Sequence, residues 1–142
     1  MSSFTSDLDV RITQKKRDER VLAELLSTFS YGVGAEDSPD VIVVPAGFET
    51  DFASIPRALW VIEPPLGEAG KAAVLHDFLY ETGERDRVAA DRIFLEAMAV
   101  LEVPWWKRSL MFRAVRMFGR GGYKERRAEA APPEAAPSGD PS

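Results

Sequence analysis

The sequence predicts an α+β domain: a small antiparallel sheet, then a three-helix segment whose first two helices form an antiparallel hairpin. Three observations predict it. VIVV at 41–44 is a β-branched run closed by Pro45. The apolar spacing changes from alternation to helical period near residue 68. Gly83 and Gly119 stand where two helices should stop.

Taken in order, residues 1–7 are polar and carry no pattern, so they are expected to be disordered. Residues 7–20 are also polar, with an arm or edge strand expected around Val10 and Ile12. VLAELLSTF has helix formers, but Phe29, Tyr31 and Val33 alternate with small or polar residues, the period of a half-buried strand. AEDSPD at 35–40 is a turn cluster before VIVV. Two or three antiparallel strands are therefore expected between about Val21 and Thr50. Glu68 to Glu81 places apolar side chains at 72, 75 and 79, a helical face. Asp86 to Glu102 repeats the pattern through Val88, Phe94, Leu95, Met98 and Leu101. Pro104 opens a third helix, WWKRSLMFRAVRMF. The globular domain is expected over 8–123. Residues 124–142 are read as a disordered tail, because their Pro/Ala-rich composition offers too little apolar surface to offset the entropy of ordering.

Composition narrows the chemistry. The chain has 142 residues, 45% hydrophobic and 29% charged, the size of one domain. It has no cysteine, which excludes a disulfide scaffold, a thiolate metal site and a cysteine nucleophile. One histidine, His76, excludes mechanisms that need two. No apolar run approaches the length of a membrane span, and the N-terminus lacks the basic and apolar stretches of an export signal. Net charge is −5, so no specific nucleic-acid binding is expected of the whole chain.

The residues that can carry chemistry lie around His76. In AAVLHDFLY, Asp77 follows it directly and Tyr80 sits one turn on, sharing its face. His76 lies seven residues before Gly83 and Asp91 eight after it. Positions equidistant from a hairpin tip face each other, so His76 and Asp91 are expected to meet. An imidazole held by a carboxylate can act as a general base on water. The same pair can equally be a buried polar link between two helices. Asp77 projects about 100° away and could bind a cation. The preceding loop, GFETDFASIPRALW (47–60), sets Asp51 and Ser54 among Phe48, Phe52, Ile55 and Trp60; it reads either as a site loop or as a capped turn. Ser54 could complete a serine triad, but no G-x-S-x-G elbow surrounds it. If a metal is held, calcium suits Asp77, Asp51 and loop carbonyls, which are hard oxygen donors.

Four ordered blocks, VPAGFETDFASIPRALW, AAVLHDFLY, AADRIFLEAM and MFRAVRMFG, resemble a family of uncharacterised proteins encoded by tailed bacteriophages and prophages. The resemblance spans roughly residues 20 to 119 and implies a phage context, in the host cytoplasm or the virion and with other phage proteins as partners, but no activity. A second, partial resemblance covers two helices. His76-Asp77-Phe78-Leu79-Tyr80 and Asp91-Arg92-Ile93-Phe94 are similar to the core of phospholipases A2, the bacterial and parvoviral forms above all. That resemblance implies His76 as the base activating water, Asp77 as a calcium ligand, and Asp91 and Tyr80 as the groups orienting the imidazole. The glycine-rich calcium loop of those enzymes has no clear counterpart beyond EPPLGEAG (63–70). Two functions follow: a calcium-dependent ester hydrolase, or a non-catalytic virion, tail-associated or accessory protein that uses the dyad as a structural link.

The third helix is basic. From Lys107 to Arg127 there are eight cations and one acid, Glu125. Trp105, Leu110 or Phe112, Val115 and Met117 or Phe118 are expected on apolar stripes with the cations elsewhere. Such a helix at 105–118 fits ordinary packing, an anionic membrane surface, or phosphate contacts on nucleic acid or another acidic partner.

Overall fold

The computed structural model describes residues 3–4, 8–17, 20–35, 37–50, 59–62, 64 and 67–118. The expected tail, Asp51 and Ser54 lie outside them. The fold is α+β, as the sequence predicts. Six strands come first: β1 (Ser3–Phe4), β2 (Val10–Arg17), β3 (Arg20–Leu25), β4 (Phe29–Gly32), β5 (Val41–Val44) and β6 (Glu49–Thr50). Three helices follow: α1 (Gly70–Thr82), α2 (Arg87–Val100) and α3 (Trp105–Phe118).

The strands form two antiparallel three-stranded sheets, in the orders β1-β4-β5 and β2-β3-β6. Alternation explains the first. Phe29, Tyr31, Ile42 and Val44 are buried, while Val41 and Val43 on the other face of β5 are about half exposed. β1 falls within the stretch expected to be disordered. Phe4 forms it by packing its ring 4.6 Å from that of Tyr31 and 5.7 Å from that of Phe29. Flanking polarity hid that one anchor. The second sheet turns VLAEL, which has helix formers, into a central strand. Leu22, Ala23 and Leu25 are buried there, and pairing with β2 and β6 overrides helix propensity.

The helices end where their chemistry requires. Gly83 closes α1 in the left-handed region at φ 69°, donating its N–H to the Leu79 carbonyl. Asp86 caps α2 by accepting the Ala89 N–H at 2.8 Å. α2 ends with Glu102 at φ 64° while Val103 N–H reaches back to Met98 O at 3.0 Å, a Schellman closure with a non-glycine residue at the strained position. Ala69, Ala72, Ala73, Ala90 and Ala97 are fully buried, so the helix backbones approach closely. Val103, Met111 and Val115 seal the core from the α3 side.

α3 departs from expectation. Its buried side chains are Met111, Ala114 and Val115, whereas Trp105, Trp106, Leu110 and Met117 face solvent. The apolar residues of this helix outnumber the core positions available to it, so apolarity alone misassigned the face. No helix among the described residues is long and apolar enough to cross a membrane.

Candidate functional site

α1 and α2 lie antiparallel and bring His76 opposite Asp91. Nε2 of His76 lies 2.6 Å from Oδ1 of Asp91, and both side chains are buried, at 1% and 0% exposure. The Tyr80 hydroxyl, one turn beyond His76 on α1, donates to the same Oδ1 at 2.7 Å. A carboxylate can only accept, so Nε2 carries the proton and the lone pair of the neutral ring falls on Nδ1. The imidazole is held between aromatic rings, with centroids 4.1 Å from Tyr80 and 4.7 Å from Phe94.

Two residues at this centre are ones the sequence reasoning passed over. Arg116, from α3, donates Nη1 to Asp91 Oδ2 at 2.7 Å. Arg87, in the first turn of α2, sets Nε 4.0 Å from that oxygen and spans the carbonyls of Val115 at 3.0 Å and Arg116 at 2.5 Å. Its Nε is a buried nitrogen with no hydrogen-bond partner among the described residues. Arg87 was findable, since Asp91 follows it at i+4 on one helix face. Arg116 was not, because only tertiary packing brings α3 across α2. One carboxylate therefore takes hydrogen bonds from α1 and α3 while belonging to α2.

The electrostatics follow from this crowding. Burial by itself pushes the Asp91 carboxyl up, but the hydrogen bonds from His76, Tyr80 and Arg116 outweigh it and hold the pKa below its ordinary value. For the Tyr80 phenol, burial first and then the Asp91 bond act in one direction and raise it well above its ordinary value.

Asp77 points away from this centre, as its helix position requires, and accepts a short hydrogen bond from the Thr50 hydroxyl at the end of β6. Asp77 and Thr50 are both buried. This bond ties the β2-β3-β6 sheet to α1, and Phe48 reinforces it by meeting Phe78 edge-on at 5.4 Å. As a calcium cradle the pair is incomplete. Their oxygens have suitable hardness, yet the ion takes about six to eight donors. Among the described residues no three imidazole or carboxylate groups converge on a metal position.

Comparison with known proteins places the chain. Residues 23–115 match a family described as "Protein of unknown function (DUF1353)". The chain belongs to the DUF1353 family. The matched span contains β4 to α2 whole and most of α3, and with them His76, Asp77, Tyr80, Arg87 and Asp91. This DUF1353 chain is also 39% identical over 106 residues to the uncharacterized protein y4jT of Sinorhizobium fredii, covering 72% of its own length and 30% of that protein. The DUF1353 chain thus corresponds to less than a third of that relative. No solved structure matches it.

Proposed function

We propose that this DUF1353 chain works by binding rather than by catalysis, as an accessory or particle-associated component of the phage type that its sequence blocks resemble. The Asp91 cluster then serves to hold three helices in register. The observation that carries this reading is the burial of His76 and Asp91, at 1% and 0% exposure, with both Asp91 oxygens already accepting bonds from within the protein. A general base needs its reacting nitrogen within hydrogen-bond reach of water. A base with a ring this enclosed lacks that access.

Thermal melts of the wild type and of His76→Ala, with and without calcium, test the reading. The structural role predicts that His76→Ala removes one of the two bonds that Asp91 Oδ1 accepts and empties the space between the Tyr80 and Phe94 rings, at a cost of about 1–3 kcal/mol. It also predicts no calcium-dependent shift. An unchanged melting temperature in His76→Ala would sink it.

A second reading is favoured by one specific observation. His76 and Tyr80 meet on the same oxygen of Asp91, which supports the orienting roles that the phospholipase A2 resemblance implies, while Asp77 faces Thr50 on another side of α1. In that reading His76 is the base that accepts a proton from water at Nδ1. Asp91 and Tyr80 fix its tautomer, and Asp77 with Asp51 would hold calcium to stabilise the ester oxyanion. A calcium-induced rise in melting temperature that Asp77→Asn abolishes, together with ester turnover lost in His76→Ala, would establish it over the structural role.

A further inference from the structure

The outer face of α3 is not explained by the fold. At about 100° per residue, Trp106, Leu110, Arg113 and Met117 fall within an arc of about 60°, centred about 120° around the helix from Met111, Ala114 and Val115. Trp106, Leu110 and Met117 are 49%, 38% and 71% exposed, and Trp105 beside them is 70% exposed. Water against such a stripe is unfavourable, and a monomer does not need three large apolar side chains outside its core.

The charges around the stripe identify its occupant. α3 contains no acidic residue. Three of its four cations serve the fold: Lys107 pairs with Glu68 at 3.2 Å, Arg108 donates to the Val103 carbonyl at 2.7 Å, and Arg116 binds Asp91. Arg113 is the cation exposed on the stripe. Beyond the helix the sequence continues with Arg120, Lys124, Arg126 and Arg127, so residues 107–127 carry a net +7 within a chain of net −5. A second copy of α3 would set cation against cation with no carboxylate in the seam. A nucleic acid would satisfy the charges and leave Trp106, Leu110 and Met117 against phosphates. A surface that is anionic outside and apolar just beneath satisfies both.

We propose that the outer face of α3 docks on an anionic lipid surface. Trp106, Leu110 and Met117 enter the boundary between headgroups and acyl chains, and Arg113 reaches the lipid phosphates. Met111, Ala114 and Val115 remain in the core, so docking requires no unfolding. The proposal rests on the surface of α3 and not on the Asp91 cluster, and it stands independently of the binding-or-catalysis question.

The test is sedimentation of the full chain with vesicles of phosphatidylcholine alone and of equal parts phosphatidylcholine and phosphatidylglycerol. The expected result is binding to the anionic vesicles, falling with added salt and at least about tenfold weaker on the neutral ones. Trp106→Ser combined with Met117→Ser should weaken that binding by at least about tenfold, and Arg113→Glu should weaken it as well. Both positions are exposed, so melting temperatures of the variants should match the wild type and exclude misfolding as the cause. Three results overturn the proposal. One is absence of sedimentation with the anionic vesicles. Another is a serine double variant that binds like wild type, leaving only charge. The last is a lipid-free dimer, seen by light scattering, that the serine double variant dissociates; it would assign the stripe to a second copy.

Discussion

Replacing Asp91 by asparagine tests the central cluster most directly. The carboxylate offers Oδ1 to His76 and Tyr80 and Oδ2 to Arg116. An amide has one accepting oxygen. If that oxygen keeps the Oδ1 position, two bonds survive and the amide N–H₂ is turned toward the Arg116 guanidinium, donor against donor. Losing a charge-assisted bond costs about 1.5–3 kcal/mol. Arg116 is 34% exposed, so water recovers part of that and the lower end applies to it. Arg87, only 14% exposed, loses the nearby counter-charge as well, and one-sided loss of a buried charge is the expensive kind. The sum is roughly 3 kcal/mol, a substantial share of the stability of a domain this size. At about 4 °C per kcal/mol the melting temperature should fall by about 12 °C. Urea unfolding should show a lower midpoint with an unchanged slope. Arg116→Met alone should cost about 1.5–3 kcal/mol, because it takes the bond from a buried carboxylate oxygen, and the double variant should lose less than the sum of the two, because they share one interaction. A loss under about 1 kcal/mol for Asp91→Asn would refute the assignment of this carboxylate as the tie between the helices.

Three further outcomes follow from the same structure. Stability should fall at both pH extremes: the lowered Asp91 stabilises above its unfolded value of 3.8 and that contribution is lost in acid, while the raised Tyr80 stabilises below 10.0 and that contribution is lost in alkali. Tyr80→Phe should flatten the alkaline limb and, by removing one of the bonds that lower Asp91, soften the acid limb as well, measured by thermal melts from pH 3 to 11. Glu102→Gly should raise stability by up to about 1 kcal/mol by relieving the left-handed backbone, whereas Gly83→Ala should lower it by about 1 kcal/mol, both read from urea midpoints. Tyr31→Phe should cost about 0.5–1.5 kcal/mol, because the fully buried Tyr31 donates its hydroxyl to Glu96 at 3.0 Å and so links β4 to α2.

The parts of the fold legible in the sequence were those with local causes. Ala72, Leu75 and Leu79 mark one helix face, Val41–Val44 one strand, and Gly83 and Pro104 the breaks, each within a few residues of its effect. The meeting of His76 and Asp91 was legible for the same reason, since a short hairpin fixes the facing register. What was not legible depends on distant packing. The β2-β3 pairing overrides the helix formers of VLAEL through partners up to fifteen residues away, at Val10↔Leu25. Arg116 reaches Asp91 only after α3 has folded back over α2. The enclosure of His76 depends on every layer around it and has no signature in its neighbours.

The way α3 ends has a consequence for chain architecture. Most helices rely on the residues that follow them to satisfy their last carbonyls. Here Arg87, the opening residue of a different helix, takes the carbonyls of Val115 and Arg116. Two of the last four carbonyls of α3 are therefore held from the side, by a residue that precedes the helix in the chain. A helix end held in this manner depends less on the chain that follows it. Exchanging everything after Phe118 for an unrelated flexible segment should leave the helix, and the domain it completes, intact.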